Sequence, residues 1–266
     1  MITLSNLTYY PIKACRGFDV NESNVERMGL SSDRRMMVVS EFGEFLTQRE
    51  YPKLARITPT LSDGVLTLSA PAWDTVTFPV LKTGETVPVD IWRSRDVQAV
   101  DQGEAAAKWL SSWIGDPVRL VHIADGFKRR LNRNYAINAD DHTGFADGYP
   151  ILIISEESLR DLNSRLDSPV PMNRFRPNIV VKGCEPFAED TWKRIRIGDD
   201  VEMALVKPCA RCVVTTIDKE TLQQNKEPLK TLNTFRKQVG GAMFGQNAIP
   251  LNEGRLEVGM SVQVIQ

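Results

Sequence analysis

Residues 207–218 read KPCARCVVTTID and set two cysteines, Cys209 and Cys212, two residues apart with Arg211 between them. A pair of this kind fits four chemistries: half of a zinc site, a redox dithiol, one metal-ligating thiolate beside a bystander, or plain core packing. A structural zinc site needs four ligands. Only Cys15 and Cys184 remain to complete one, and the whole chain has two histidines, His122 and His142. A redox pair normally sits at a helix N-terminus, whose dipole lowers the thiol pKa; here the following VVTTID reads as a strand. Free cysteine is often simply buried, which is the expectation for Cys15 and Cys184. A thiolate is favoured by a neighbouring guanidinium, and soft thiolates suit a restricted set of metals and cofactors. The residues alone reach a thiolate near positive charge and do not name the metal.

Basic residues recur at turn and strand-edge positions: Lys13 and Arg16 in YPIKACRG, Arg34 and Arg35 after Asp33, Arg49 in LTQRE, Arg174 and Arg176 in NRFRPN, and Arg211. Arginine forks match phosphate and carboxylate geometry, and lysine serves as a point charge. Converging, they would make an anion site; singly, each is a solvated charge or a structural ion pair.

The elements that must position these groups are mostly strands. RRMMVVS, VLTLSA, VRLVHI, NIVVKG, DVEMALV, CVVTTID and MSVQVIQ are β-branched or alternating runs bounded by turn residues. RIRIGDDVEMALV and RLEVGMSVQVIQ each join two strands through a Gly-centred turn. Two helices stand out. Trp109, Leu110, Trp113 and Ile114 form an apolar face ended by Gly115 and Pro117. Ser155 is an N-cap for a second helix, with a Leu159, Leu162, Leu166 stripe that Pro169 stops. The polar stretch 124–150 is long enough to be functional or disordered. It lies near a domain boundary around residue 120, giving units 1–120 and 121–266.

With 42% apolar residues, 25% charged and a net charge of −1, the composition is that of a soluble globular protein. It offers no electrostatic argument for nucleic acid or an anionic membrane. No apolar run approaches the ~20 residues of a membrane helix, and no signal peptide opens the sequence. Reduced thiols in a cytosolic setting are therefore expected.

In order and spacing, YPIKACRG, DRRMMVV, FLTQRE, SEESLRDLNSRL, FRPNIVV, CARCVVTTID, EPLKTLNTFR and FGQN resemble the MOSC family, the molybdenum cofactor sulfurase C-terminal domain family with its associated N-terminal β-barrel domain. In layout the chain is similar to the amidoxime-reducing members and to bacterial two-domain members, and the resemblance spans nearly its whole length. It implies an α+β, strand-dominated fold: an N-terminal β-rich domain and a C-terminal MOSC β-barrel with flanking helices. It implies a molybdenum cofactor (molybdopterin) whose metal is ligated by the second cysteine of the C-x-R-C segment, here Cys212, with Cys209 a neighbour. Lys13, Arg34, Arg176, Asn178, Arg211, Gln246 and Asn247 fall on cofactor-contacting motifs. Asp147 joins them at the end of the long loop, where with Tyr149 it lines the substrate mouth. Arg49 is a weaker candidate, and His142 lies in the same loop.

The implied reaction is reduction of small N-hydroxylated compounds: amidoximes, N-hydroxylamines and N-hydroxylated bases. Some relatives carry a C-terminal iron–sulfur domain and others an N-terminal targeting anchor. Neither pattern occurs in this sequence, so the expectation is a separate reductase or iron–sulfur or flavin electron donor and a bacterial-type cytoplasmic location. The alternative function is a carrier of molybdenum cofactor or sulfur without turnover of its own.

Overall fold

The computed structural model describes all residues from 1 to 266. Its largest sheet has nine strands and is built mainly from the second half of the chain. Strand Ile151–Ser155 runs parallel to Ile179–Lys182 and antiparallel to the long strand Gly241–Pro250. The latter pairs with Val201–Ala210, which continues through Arg194–Ile197 to Val262–Val264. On the other side the N-terminal strand Thr3–Tyr9 adds to Ile179–Lys182. The sheet curls until its ends meet: Thr3 bridges Ser261, and Leu4 N–H donates to the Met260 carbonyl at 2.9 Å. Its inner face is a cluster of Leu, Ile and Val that includes Leu4, Leu7, Ile153, Ile179, Val181, Ile195 and Met203. Period-two alternation puts these side chains on one face of their strands. The first residues of the chain thus complete the second unit's barrel before the chain crosses to the first unit.

That first unit stacks a four-stranded antiparallel sheet (Met36–Ser40, Val118–Ile123, Ser94–Asp101, Thr86–Ile91) and a three-stranded meander over Thr58–Pro79 around helix Glu104–Ile114. The helix buries Trp109, Leu110 and Ile114 as its periodicity requires. It stops at Gly115, whose φ of 98° is left-handed and suits glycine. The second helix, Glu156–Asn163, is capped as expected: Ser155 Oγ accepts from Ser158 N–H at 3.1 Å. The buried Glu189 carboxylate then receives the Ser155 and Ser158 hydroxyls.

Two elements depart from the sequence reading. VVTTID is not a strand: Val213–Thr216 forms a 3-10 turn with Cys212 at its N-cap. The Thr215 and Thr216 hydroxyls donate back to the carbonyls of Cys212 and Val213 at 2.9 and 2.7 Å, a local bonding that competes with strand pairing. The two strands of RLEVGMSVQVIQ do not form a hairpin with each other. Gly254–Glu257 pairs with Glu22–Glu26, and Val262–Val264 pairs with Arg194–Ile197.

Candidate functional site

A cleft between the two units collects most of the singled-out residues. Lys13, Arg34 and Arg49 enter from the first unit, Asp147 and Tyr149 from the end of the long loop, and Arg174, Arg176, Asn178, Cys209, Arg211, Cys212 and Asn247 from the second. Lys13 follows the strand Thr3–Tyr9 and is held by the backbone bond from its N–H to the Met36 carbonyl. Arg34 is placed by Gly144, because a Cβ there would stand 2.6 Å from the Arg34 carbonyl, the same oxygen that accepts from Phe145 N–H at 2.7 Å.

Asn178 is the hub of the cleft floor, with 1% of its surface exposed. Its amide donates to the Thr8 carbonyl at 3.2 Å, and its Oδ1 accepts from Leu152 N–H at 3.2 Å and from Arg34 Nη1 at 3.0 Å. Asn178 therefore fixes Arg34 rather than presenting free donors of its own. Arg34 and Arg176 both lie against the Tyr10 ring, at 4.4 and 4.2 Å from its centroid. Burial pushes the Tyr10 phenol up to about 12, so the ring stays neutral beneath two guanidinia.

The cysteine pair is asymmetric. Cys209 packs against the cluster around Phe175 and Phe244, and Arg211 Nη1 donates to its sulfur at 3.0 Å. Cys212 lines the same cleft at the start of the 3-10 turn. Arg211 Nη2 is anchored on the Phe175 carbonyl at 2.7 Å.

Charge in the cleft is one-sided. Six cationic side chains line it against a single carboxylate, Asp147. Lys13 and Asp147 form an ion pair. Burial lowers the Lys13 ammonium below the ordinary lysine value, and Asp147 only partly offsets it. Asp147 itself is held well below the usual carboxylate range: the local desolvation that would raise it is outweighed by Lys13, Trp92 and Arg34. Its side chain is 73% exposed at the mouth, so the surrounding cations rather than burial govern it. Outside the cleft lining, local desolvation and the cations Arg176, Arg174, Arg16 and Arg211 depress the ammonium of Lys219, a residue with no signal in the sequence.

Comparison with known proteins adds the ancestry of this arrangement. The profile of the MOSC N-terminal beta barrel domain matches residues 1–117, and that of the MOSC domain matches residues 140–263. The chain is 38% identical to mitochondrial amidoxime-reducing component 1 of Homo sapiens over 281 residues, covering 99% of this chain and 83% of that protein. It is 40% identical over 247 residues to mitochondrial amidoxime reducing component 2 of Rattus norvegicus, covering 88% and 72%. The bovine component 2 is 38% identical, with the same two coverages.

The chain belongs to the MOSC family.

Membership supports an oxidoreductase-like enzymatic function in general and is consistent with binding of a molybdenum cofactor. It also corrects one expectation. The cytoplasmic location inferred above rested on the start of the sequence, which does not decide a compartment; these relatives are all named mitochondrial. No helix is long and apolar enough to cross a membrane.

Arg176 Nη2 and Arg211 Nε are buried without any hydrogen-bond partner. A buried charged donor left unpaired is costly, so a site that keeps two of them beside an unengaged thiol suits an anionic, acceptor-rich group. No cluster of three or more His, Cys, Asp or Glu side chains is placed to hold a bare metal ion.

One MOSC site expectation needs correction, and one residue is added. Gln246 does not reach the cleft: its amide donates to Asp190 at 2.6 Å, because successive residues of a strand face opposite ways and Asn247 takes the cleft side. His142 also lies outside the cleft lining, with Nδ1 on the Asp140 carbonyl. Trp92, which lines the cleft, was missed. The only signal for it was a large aromatic in the short turn between two strands.

Proposed function

We propose that this protein is a molybdenum cofactor-dependent oxidoreductase that reduces N-hydroxylated compounds, with electrons from a separate donor protein. The observation that carries the reading is the pair of unpartnered guanidinium nitrogens, on Arg176 and Arg211, in a cation-rich cleft that also holds Cys212. The relatives named for amidoxime reduction give the substrate class.

In this reading Cys212 supplies the thiolate that holds the metal. Arg176, Arg211, Arg34 and Lys13 neutralise the phosphate and meet acceptors of the pterin, as charge-assisted bonds to a buried anion require. Asn247 lines the same wall. When bound, the cofactor supplies the two-electron chemistry by which an N–OH group and two protons become N–H and water. The chain's contribution is orientation and charge. Arg211, tethered to Cys209 and to the Phe175 carbonyl, keeps positive charge beside the ligand position. Cys209, already engaged, stays clear of the metal. Asp147, ionised at the mouth, accepts a hydrogen bond from the substrate's N–H or O–H. The test is turnover of a small amidoxime by metal-loaded protein with a chemical reductant, scored against Cys212→Ala. Turnover that survives the substitution would sink the assignment.

A further inference from the structure

Trp92 stands in the turn between strands Thr86–Ile91 and Ser94–Asp101 with a φ of 53°, a conformation bulky L-residues seldom adopt. Backbone outliers of this kind persist where the surroundings over-determine them, and they cluster at functional sites. The surroundings here are specific. The indole packs on Phe45 with centroids 4.7 Å apart. The Arg49 guanidinium lies 5.1 Å from the indole, and Lys13 Nζ lies 5.6 Å from both aromatic rings. The indole N–H donates to Asp147 Oδ1 at 3.1 Å.

Lys13 bonds the same oxygen, Oδ1. A carboxylate has two equivalent oxygens and a broad, roughly two-fold terminal torsion, so an ion pair with lysine alone would let them exchange. Two donors converging on one oxygen, one of them on a rigid aromatic frame, remove that equivalence. Oδ2 receives no protein donor and belongs to a side chain that is largely exposed at the cleft mouth. The bond also joins the first unit to the end of the long loop, where Arg129 already pins the carbonyls of Gly144 and Ala146.

We propose that Trp92 is a positioning residue that fixes Asp147 at the cleft mouth with Oδ2 free to accept a hydrogen bond from the substrate's N–H or O–H. This rests on the N-hydroxy reductase reading above for the nature of the substrate. The placement of Asp147 itself does not.

The experiment uses the metal-loaded full chain and three variants: Trp92→Phe, which keeps a ring and removes the N–H, Asp147→Asn, and the double variant. With a small amidoxime, Trp92→Phe is expected to raise KM roughly fivefold, the loss of about one hydrogen bond, with kcat changed less than twofold. In the Asp147→Asn background it should add nothing further. Amide hydrogen exchange over residues 146–149 should quicken several-fold in Trp92→Phe and not elsewhere. An unchanged KM, additive effects in the double variant, or unchanged exchange would each overturn the proposal. If the wild type turns over no N-hydroxylated substrate, the reductase reading fails, and the exchange comparison alone decides whether Trp92 fixes Asp147.

Discussion

Arg211 Nη1 bonds Cys209 Sγ at 3.0 Å, whereas the Cys212 thiol, in the same cleft, receives no hydrogen bond. The two cysteines of one short motif are thereby separated by the arginine between them. Arg211 bends back onto the first sulfur and leaves the second without a hydrogen bond. The asymmetry supports the role proposed for Cys212, and it makes Arg211 a strut as well as a charge.

The unpartnered Nη2 of Arg176 predicts a trade between stability and binding. Arg176→Met removes a buried, under-bonded cation, a change that is often neutral or stabilising. The cofactor-free protein should melt at an unchanged temperature or roughly 2–4 °C higher, the shift expected for about 1 kcal/mol in a chain of this size. Cofactor retention should fall at least tenfold. Scanning calorimetry and metal analysis of the same preparation check both. A large drop in melting temperature would mean that the bond from Arg176 to the Cys15 carbonyl, 2.6 Å long, matters more than the unpaired nitrogen.

Lys13 gives a pH dependence with a defined sign. Burial depresses its ammonium below the ordinary value of 10.5, and Asp147 pushes it back up. Anion binding that needs charged Lys13 should therefore weaken on the alkaline side before an ordinary lysine would titrate. Removing the counter-charge in Asp147→Asn should move that limb to lower pH. A cofactor-retention or activity profile against pH reads the shift; a limb that moves upward contradicts the assignment.

Asn178→Ala tests the cleft floor. It strips the partners from Leu152 N–H and the Thr8 carbonyl and one from Arg34. Unsatisfied buried groups cost about 1–3 kcal/mol each, so denaturant unfolding should show a loss of roughly 2–4 kcal/mol. Cofactor retention should drop with it, because Arg34 keeps only Asp33 and the Arg176 carbonyl to hold it.

Phe244→Ala tests the wall behind the cysteines. Phe244 is fully buried, 4.4 Å from the Phe175 ring centroid, and Phe175 also lines the cleft. The expected loss is about 3–5 kcal/mol, with the Phe175 carbonyl that anchors Arg211 displaced. Chemical denaturation measures the first effect, and weakened metal retention reports the second.

Much of this architecture was legible in the residues. Strands Val65–Ala70 and Val118–Ile123 fall where their β-branched alternation put them, and Ser155 caps its helix. Lys13, Arg34, Arg176 and Arg211 line one cleft with Cys212, which their spacing alone could not show. What could not be read is tertiary. The Thr215 and Thr216 hydroxyls turn VVTTID into a 3-10 turn, a choice that β-propensity alone gets wrong. Gln246 and Asn247 are adjacent in sequence, yet the pleat sends only Asn247 to the cleft. Trp92 joins the site through its turn and its bond to Asp147, 55 residues away along the chain.

The proposed function stands or falls on Cys212 holding a molybdenum cofactor in the cleft. Plasma mass spectrometry for molybdenum and zinc on the wild type, Cys212→Ala and Cys209→Ala, expressed with molybdate, tests it most directly. About one molybdenum per chain is expected in the wild type and in Cys209→Ala, and none in Cys212→Ala. Molybdenum retained without Cys212 and lost without Cys209, or zinc in its place, would contradict it.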